Sequence, residues 1–128
     1  MHIENAIERR VTKLSDKNKL INKEVEKLNA IFKDMPADKK KLCEGLIQNA
    51  AFMHVTLLEL QQEVLEHGAM IQATSGNGFD TIKDNPAQKA YTTMISRYSA
   101  IIDQLQKMLP SDNMAQNNDE LLDFLRNS

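Results

Sequence analysis

Residues 85–109 read NPAQKAYTTMISRYSAIIDQLQKML, and this stretch decides the fold. Ala87, Tyr91, Met94, Tyr98, Ile101, Leu105 and Met108 recur at steps of four and three, with Ile95, Ile102 and Leu109 as a second row seven apart. Such spacing lays two adjacent apolar rows along one α-helix. Asn85 is suited to accept from an orphan backbone N–H, Pro86 presets the φ of the first helical position, and Pro110 closes the run. The spacing predicts a helix from Pro86 to about Leu109.

Working back along the chain, Pro36 and Asp38 announce another helix, and Gly68 suits the left-handed position past its end. Its main seam is Leu46, Ala50, Met53, Leu57, Leu60 and Val64. A second row holds Ile47, Ala51, Leu58 and Leu65, with Phe52 beyond both. Between Ala73 and Asn85 the Thr-Ser-Gly-Asn-Gly stretch has no helical period and reads as an exposed, mobile loop. Two helices joined by one loop form an antiparallel hairpin, here over residues 36–110.

Ahead of it, residues 1–35 form a helical arm with the heptad seam Ile7, Val11, Leu14, Ile21, Val25, Leu28, Phe32 and Met35, broken only by Asn18. The arm is either one long helix or two joined near Ser15, ending by Asp34 because Pro36 disfavours helix at Met35. After Pro110, Ser111 to Asn118 are polar and read as a tether. They lead to an acidic amphipathic piece around Leu121, Leu122, Phe124 and Leu125, too brief to hold a helix alone. The expected fold class is all-α: a basic N-terminal helical arm, a long helical hairpin that oligomerises, and a flexible acidic tail over residues 111–128.

At 128 residues the chain fits one domain. Hydrophobic residues are 41% and charged residues 27%, which excludes collagen-like and wholly disordered classes. The longest uncharged run, Gly45 to Leu58, is too short and too polar to span a bilayer. Residues 1–4, Met-His-Ile-Glu, show no secretory leader, so no membrane partner and a cytoplasmic location are expected. Cys43 is the only cysteine, which excludes an internal disulfide framework. The net charge of −2 hides an asymmetry. Residues 1–41 carry eleven Lys or Arg against seven Asp or Glu, and residues 42–128 carry five against eleven. The arm is therefore +4 and the remainder −6.

The order of these features resembles the small terminase subunits of tailed bacteriophages, in the branch common in prophages of Gram-positive hosts. The likeness runs from about Lys23 to Pro110. It rests on Lys23-Glu24-Val25-Glu26-Lys27-Leu28, Ile31-Phe32-Lys33-Asp34, Lys39-Lys40-Lys41-Leu42 and the run from Gly45 to Met53. Leu57-Leu58-Glu59-Leu60, His67-Gly68, Asn85-Pro86-Ala87, Tyr91-Thr92-Thr93-Met94-Ile95, Leu105 and Leu109-Pro110 complete the set. After that proline, Ser111-Asp112 stand where many relatives carry a basic residue. The resemblance implies a non-enzymatic packaging component in the cytoplasm of a bacterial host. Such proteins form rings, bind double-stranded viral DNA and deliver it to the large terminase subunit.

Catalysis finds little support among the residues. Ser75-Gly76-Asn77-Gly78 is followed by Phe79 and Asp80, with no lysine to reach a phosphate. Cys43 and His54 lie about three turns apart on one helix and cannot pair within it. His67, four after Glu63, has the spacing of a ligand pair but also suits the negative end of a helix dipole. His54 reads as a packed or interface histidine. No metal and no cofactor are expected.

Arg9, Arg10, Lys13 and Lys17, then Lys19, Lys23 and Lys27, mostly recur at steps of four, which keeps each set on one face. Lys39, Lys40 and Lys41 form a second cluster. Read from the residues alone these are solvated faces, diluted by Glu8, Asp16, Glu24 and Glu26. With the resemblance they become the expected DNA contacts, and a ring would multiply a weak charge. Two rows on each hairpin helix plus the arm exceed what one hairpin covers, so a homo-oligomer is expected. Its contacts are Leu46, Ile47, Ala50, Met53, Leu57, Leu58, Leu60 and Val64 with Tyr91, Met94, Ile95, Tyr98, Ile101, Ile102 and Leu105. Leu121, Leu122, Phe124 and Leu125 are the expected docking face for the large subunit.

Overall fold

The computed structural model describes residues 2–74, 76–109 and 114–126, with side chains for residues 8, 13–74, 76–109 and 119–126. Along them run α1 (His2–Ile31), α2 (Ala37–His67), β1 (Met70–Thr74), β2 (Asp80–Asp84), α3 (Pro86–Met108) and α4 (Met114–Arg126). The chain is mostly helical. The arm is one helix with no break at Ser15.

α1 ends where Phe32 N–H donates to Leu28 O and Met35 N–H to Phe32 O, a turn that Pro36 prevents from continuing as helix. The seam then reverses into α2. Val25, Leu28, Phe32 and Met35 pack with Cys43, Ile47, Ala50 and Ala51, and Leu28, Ile47 and Leu105 are the large side chains most fully enclosed. Each such side chain contributes about 1.5–3 kcal/mol by leaving water. Ile7 and Val11 lie outside the described side chains, while Leu14 is exposed.

α2 and α3 lie side by side in opposite directions, since His54 meets Tyr98 and Gln61 meets Tyr91. Asn85 fastens them. Its N–H donates to Ala69 O, its side-chain amide donates to Gly68 O at 2.9 Å, and its Oδ1 accepts from Ala87 N–H at 3.0 Å. Gly68 itself sits at φ 87°, a conformation open to glycine but strained for residues with a Cβ. Asn85→Ala removes the α3 cap and leaves a carbonyl without its donor, an expected loss of about 2–3 kcal/mol. Asn85→Asp keeps the acceptor alone and should lose less in urea unfolding; losses equal to those of Asn85→Ala would show that the cap on Ala87 N–H contributes nothing.

Two expectations are corrected. The segment expected to be a loop between Ala73 and Asn85 is a β-ribbon, Met70 pairing with Asp84 through to Thr74 with Asp80. Ile71, Thr74, Thr81 and Ile82 suit a pleated strand, and Gly78 at φ 83° takes the turn. The ribbon remains largely exposed, as expected of that stretch. The second correction concerns the tail, where Met114–Arg126 is helical, including residues 114–118 of the expected tether; residues 111–113 lie outside the described residues. Leu121 and Phe124 are buried in the same cluster as the other three helices, and α4 contacts α1. Docking supplies what a thirteen-residue helix lacks in isolation.

Candidate nucleic-acid interface

α1 and α2 flank an open groove of about 680 Å³. The α1 wall presents Lys13, Lys17, Lys23 and Lys27, because helical periodicity returns those positions to neighbouring faces. Opposite stand Glu59, Glu63 and Glu66 of α2, with Leu20, Val55 and Leu58 between the walls. Lys17 Nζ lies 2.8 Å from Glu59 Oε1 and 4.9 Å from the Phe52 ring centroid. Lys27 Nζ lies 3.2 Å from Glu24 Oε1. Both cations are thus half-buried and partly neutralised. Lys13, Lys19 and Lys23 remain exposed, whereas the side chains of Arg9 and Arg10 lie outside the described residues.

Lys39, Lys40 and Lys41 are exposed on the first turns of α2, where the helix dipole adds positive potential. Lys40 and Lys33 line a hollow of about 360 Å³ beside Cys43. Lys33 was not among the expected contacts; only the turn at Pro36 brings it to Lys40. Burial, then the Glu44 carboxylate, pushes the Cys43 thiol up, consistent with an inert packed cysteine.

Of the hairpin residues expected to join copies, Ile47, Ala50, Leu57, Tyr98 and Leu105 are buried within one chain. Within one chain these residues share a single buried cluster with residues of α1 and α4, so they serve its own core. Leu46, Met53, Leu60, Val64, Tyr91, Met94, Ile95, Ile101 and Ile102 are half-buried, and Leu58 is exposed. The tail behaves in the same way. Leu121 and Phe124 face the chain's own core, Leu125 is half-buried, and Leu122 alone of the four is exposed.

Periodicity gave no hint of a polar cluster beneath α4. His54 Nδ1 lies 2.7 Å from Tyr98 Oη, and the His54 ring centroid is 4.7 Å from that of Phe124. Glu24, also buried, approaches from α1. Burial lowers the His54 pKa, Glu24 opposes that and Lys27 adds to it. Burial first and Glu24 second raise the Tyr98 phenol, keeping its proton on. Elsewhere His67 Nδ1 sits 3.0 Å from Glu63 Oε1, and with Glu66 these donors come within 4.8 Å of one another. All three are exposed, and the i,i+4 spacing of Glu63 and His67 accounts for that arrangement.

Among the described residues no helix is long and apolar enough to cross a membrane. Comparison with known proteins finds no family, no curated protein and no solved structure that matches this chain.

Proposed function

We propose that this chain is a non-catalytic DNA-binding adaptor of the terminase small subunit type, assembling as a ring and presenting viral DNA to a large terminase subunit inside a bacterial host. The observation that carries the reading is the conjunction of uncovered apolar surface with uncovered lysines on the same two helices. Leu14 and Leu20 of α1 and Leu58 and Leu65 of α2 are all exposed, beside exposed Lys13, Lys19 and Lys23. Apolar surface left over after folding favours association of copies, and repetition multiplies a modest positive charge. Backbone phosphate contact, rather than base readout, suits a stripe without aromatic platforms.

A second reading, a helical scaffolding oligomer that ignores DNA, is favoured by the Lys17–Glu59 ion pair and the acidic wall facing the lysines. Titration of duplex DNA at several salt concentrations separates the two. The adaptor reading expects salt-dependent binding that weakens about tenfold or more when Lys13, Lys19 and Lys23 are replaced together by Glu, with the salt slope falling by about 1 per lost phosphate contact. Oligomers indifferent to DNA at low salt would establish the scaffold instead, and a concentration-independent monomer in light scattering would remove both.

A further inference from the structure

The groove between α1 and α2 carries opposite charge on its two sides. The α1 side holds Lys13, Lys17, Lys23 and Lys27, interrupted by Asp16 and Glu24. The α2 side holds Glu59, Glu63 and Glu66 and no cation. Within one chain the two sides hardly meet. Lys17–Glu59 is the one ion pair across the groove among the described residues. Lys27 turns back to Glu24 on its own helix, Glu63 pairs with His67 on its own, and Glu66 accepts from Gln62. Lys13 is exposed and makes no ion pair among the described residues. Leu20 and Leu58 lie between the charged rows, also exposed. Leu65, two turns beyond Leu58 and so on the same face of α2, continues the apolar strip.

α1 and α2 run in opposite directions, since Phe32 and Met35 border the same hollow as Cys43 and Ile47 while Lys17 reaches Glu59. Lys13 stands one turn before Lys17 and Glu63 one turn after Glu59, so the two share a level along the groove. A second copy laid on this face can be turned in two symmetric ways. A two-fold axis across the helices sets α1 on α1 and α2 on α2, lysine against lysine and glutamate against glutamate. An axis along the helices instead sets each α1 on the other copy's α2 at the same level. Lys13 of each copy then meets Glu63 of the other, and the exposed leucines of both copies come together between the charged rows. Each of the four helices has only antiparallel neighbours, as in an up-down-up-down bundle.

We propose that the α1–α2 groove is the face by which two copies of this chain pair about a two-fold axis along the helices, each basic α1 wall against the acidic α2 wall of the other. This rests on the association of copies in the adaptor reading and deepens it. The pair becomes the unit of assembly, so any ring holds an even number of chains. Lys19, Lys39, Lys40 and Lys41 lie outside the groove lining and stay open to phosphate.

Light scattering of the full chain and two single variants tests this. Lys13→Glu makes both walls acidic at that level, and Glu63→Lys makes both basic. Because the two-fold repeats each like-charge contact, either variant alone should pair at least about tenfold more weakly than the native chain. A one-to-one mixture of the two should recover the native mass, since every contact at that level is again between opposite charges. Both positions are exposed, so circular dichroism should show native helix content in each variant. Lys19→Glu, the same change of charge outside the groove, should leave the mass unaltered. Variants that associate as the native chain does, a mixture that recovers nothing, or an assembly with an odd number of 14.5 kDa chains overturns the pairing and leaves the adaptor reading standing. Pairing that meets every expectation in a protein indifferent to duplex DNA overturns the adaptor reading alone. A native chain that stays monomeric at all concentrations overturns both.

Discussion

Leu57→Asp should leave the chain largely unfolded. Leu57 is 6% exposed, in the middle of α2. The substitution forfeits about 1.5–3 kcal/mol of apolar burial and puts a carboxylate where α2 joins the shared core. In that buried setting the acid either ionises at a desolvation cost of several kcal/mol or stays neutral with unmet hydrogen bonds. A domain of this size has about 5–15 kcal/mol in total, so the loss takes most of it. Urea titration followed by far-UV circular dichroism measures the effect. Leu65→Asp on the same helix is the control, because Leu65 is 79% exposed. Its effect on unfolding should stay within about 0.5 kcal/mol for an isolated chain. If copies associate through that face, the control instead reduces the mass seen by light scattering while leaving the fold intact.

Leu28→Ala is expected to cost about 2–5 kcal/mol, the range for a leucine deleted from a rigid interior. Leu28 is fully enclosed between α1 and α2, where small residues Ala50 and Ala51 leave little to collapse into the space. Thermal unfolding should shift down by roughly 8–20 °C, at about 4 °C per kcal/mol for a chain between the small and the larger domains in size. Leu14→Ala, in the same heptad seam but exposed, should change little. Equal shifts at the two positions would mean that α1 is held evenly along its length, contrary to the burial pattern.

Punctuation made the helices legible. Asn85-Pro86 fixes the start of α3 by a side-chain acceptor and a preset φ, and Gly68 ends α2 at a positive φ. These are local effects, so one sequence suffices to read them. The β-ribbon was concealed because glycine and asparagine at its turn outweighed the β-branched residues on either side. α4 was concealed for a different reason. Its stability comes from Leu121 and Phe124 meeting side chains far back in the chain, which no local propensity records. The site was legible by half. Spacing identifies which lysines share a face of α1, but nothing in that spacing says that Glu59, Glu63 and Glu66 stand across from them. Glu24 sits next to Val25 in the sequence and reads as surface charge; its burial follows from the packing of α2 and α4 against α1.

Closure at Asn85 also separates the length of the ribbon from the positions of the helices. With Gly68 and Ala69 tied back to Asn85, the ends of α2 and α3 are held together before the strands begin. Residues 76–79, at the far end, carry none of that fastening. Extra sequence grafted there, such as an epitope or a fluorophore site, would lengthen an outboard handle while the helical frame kept its register.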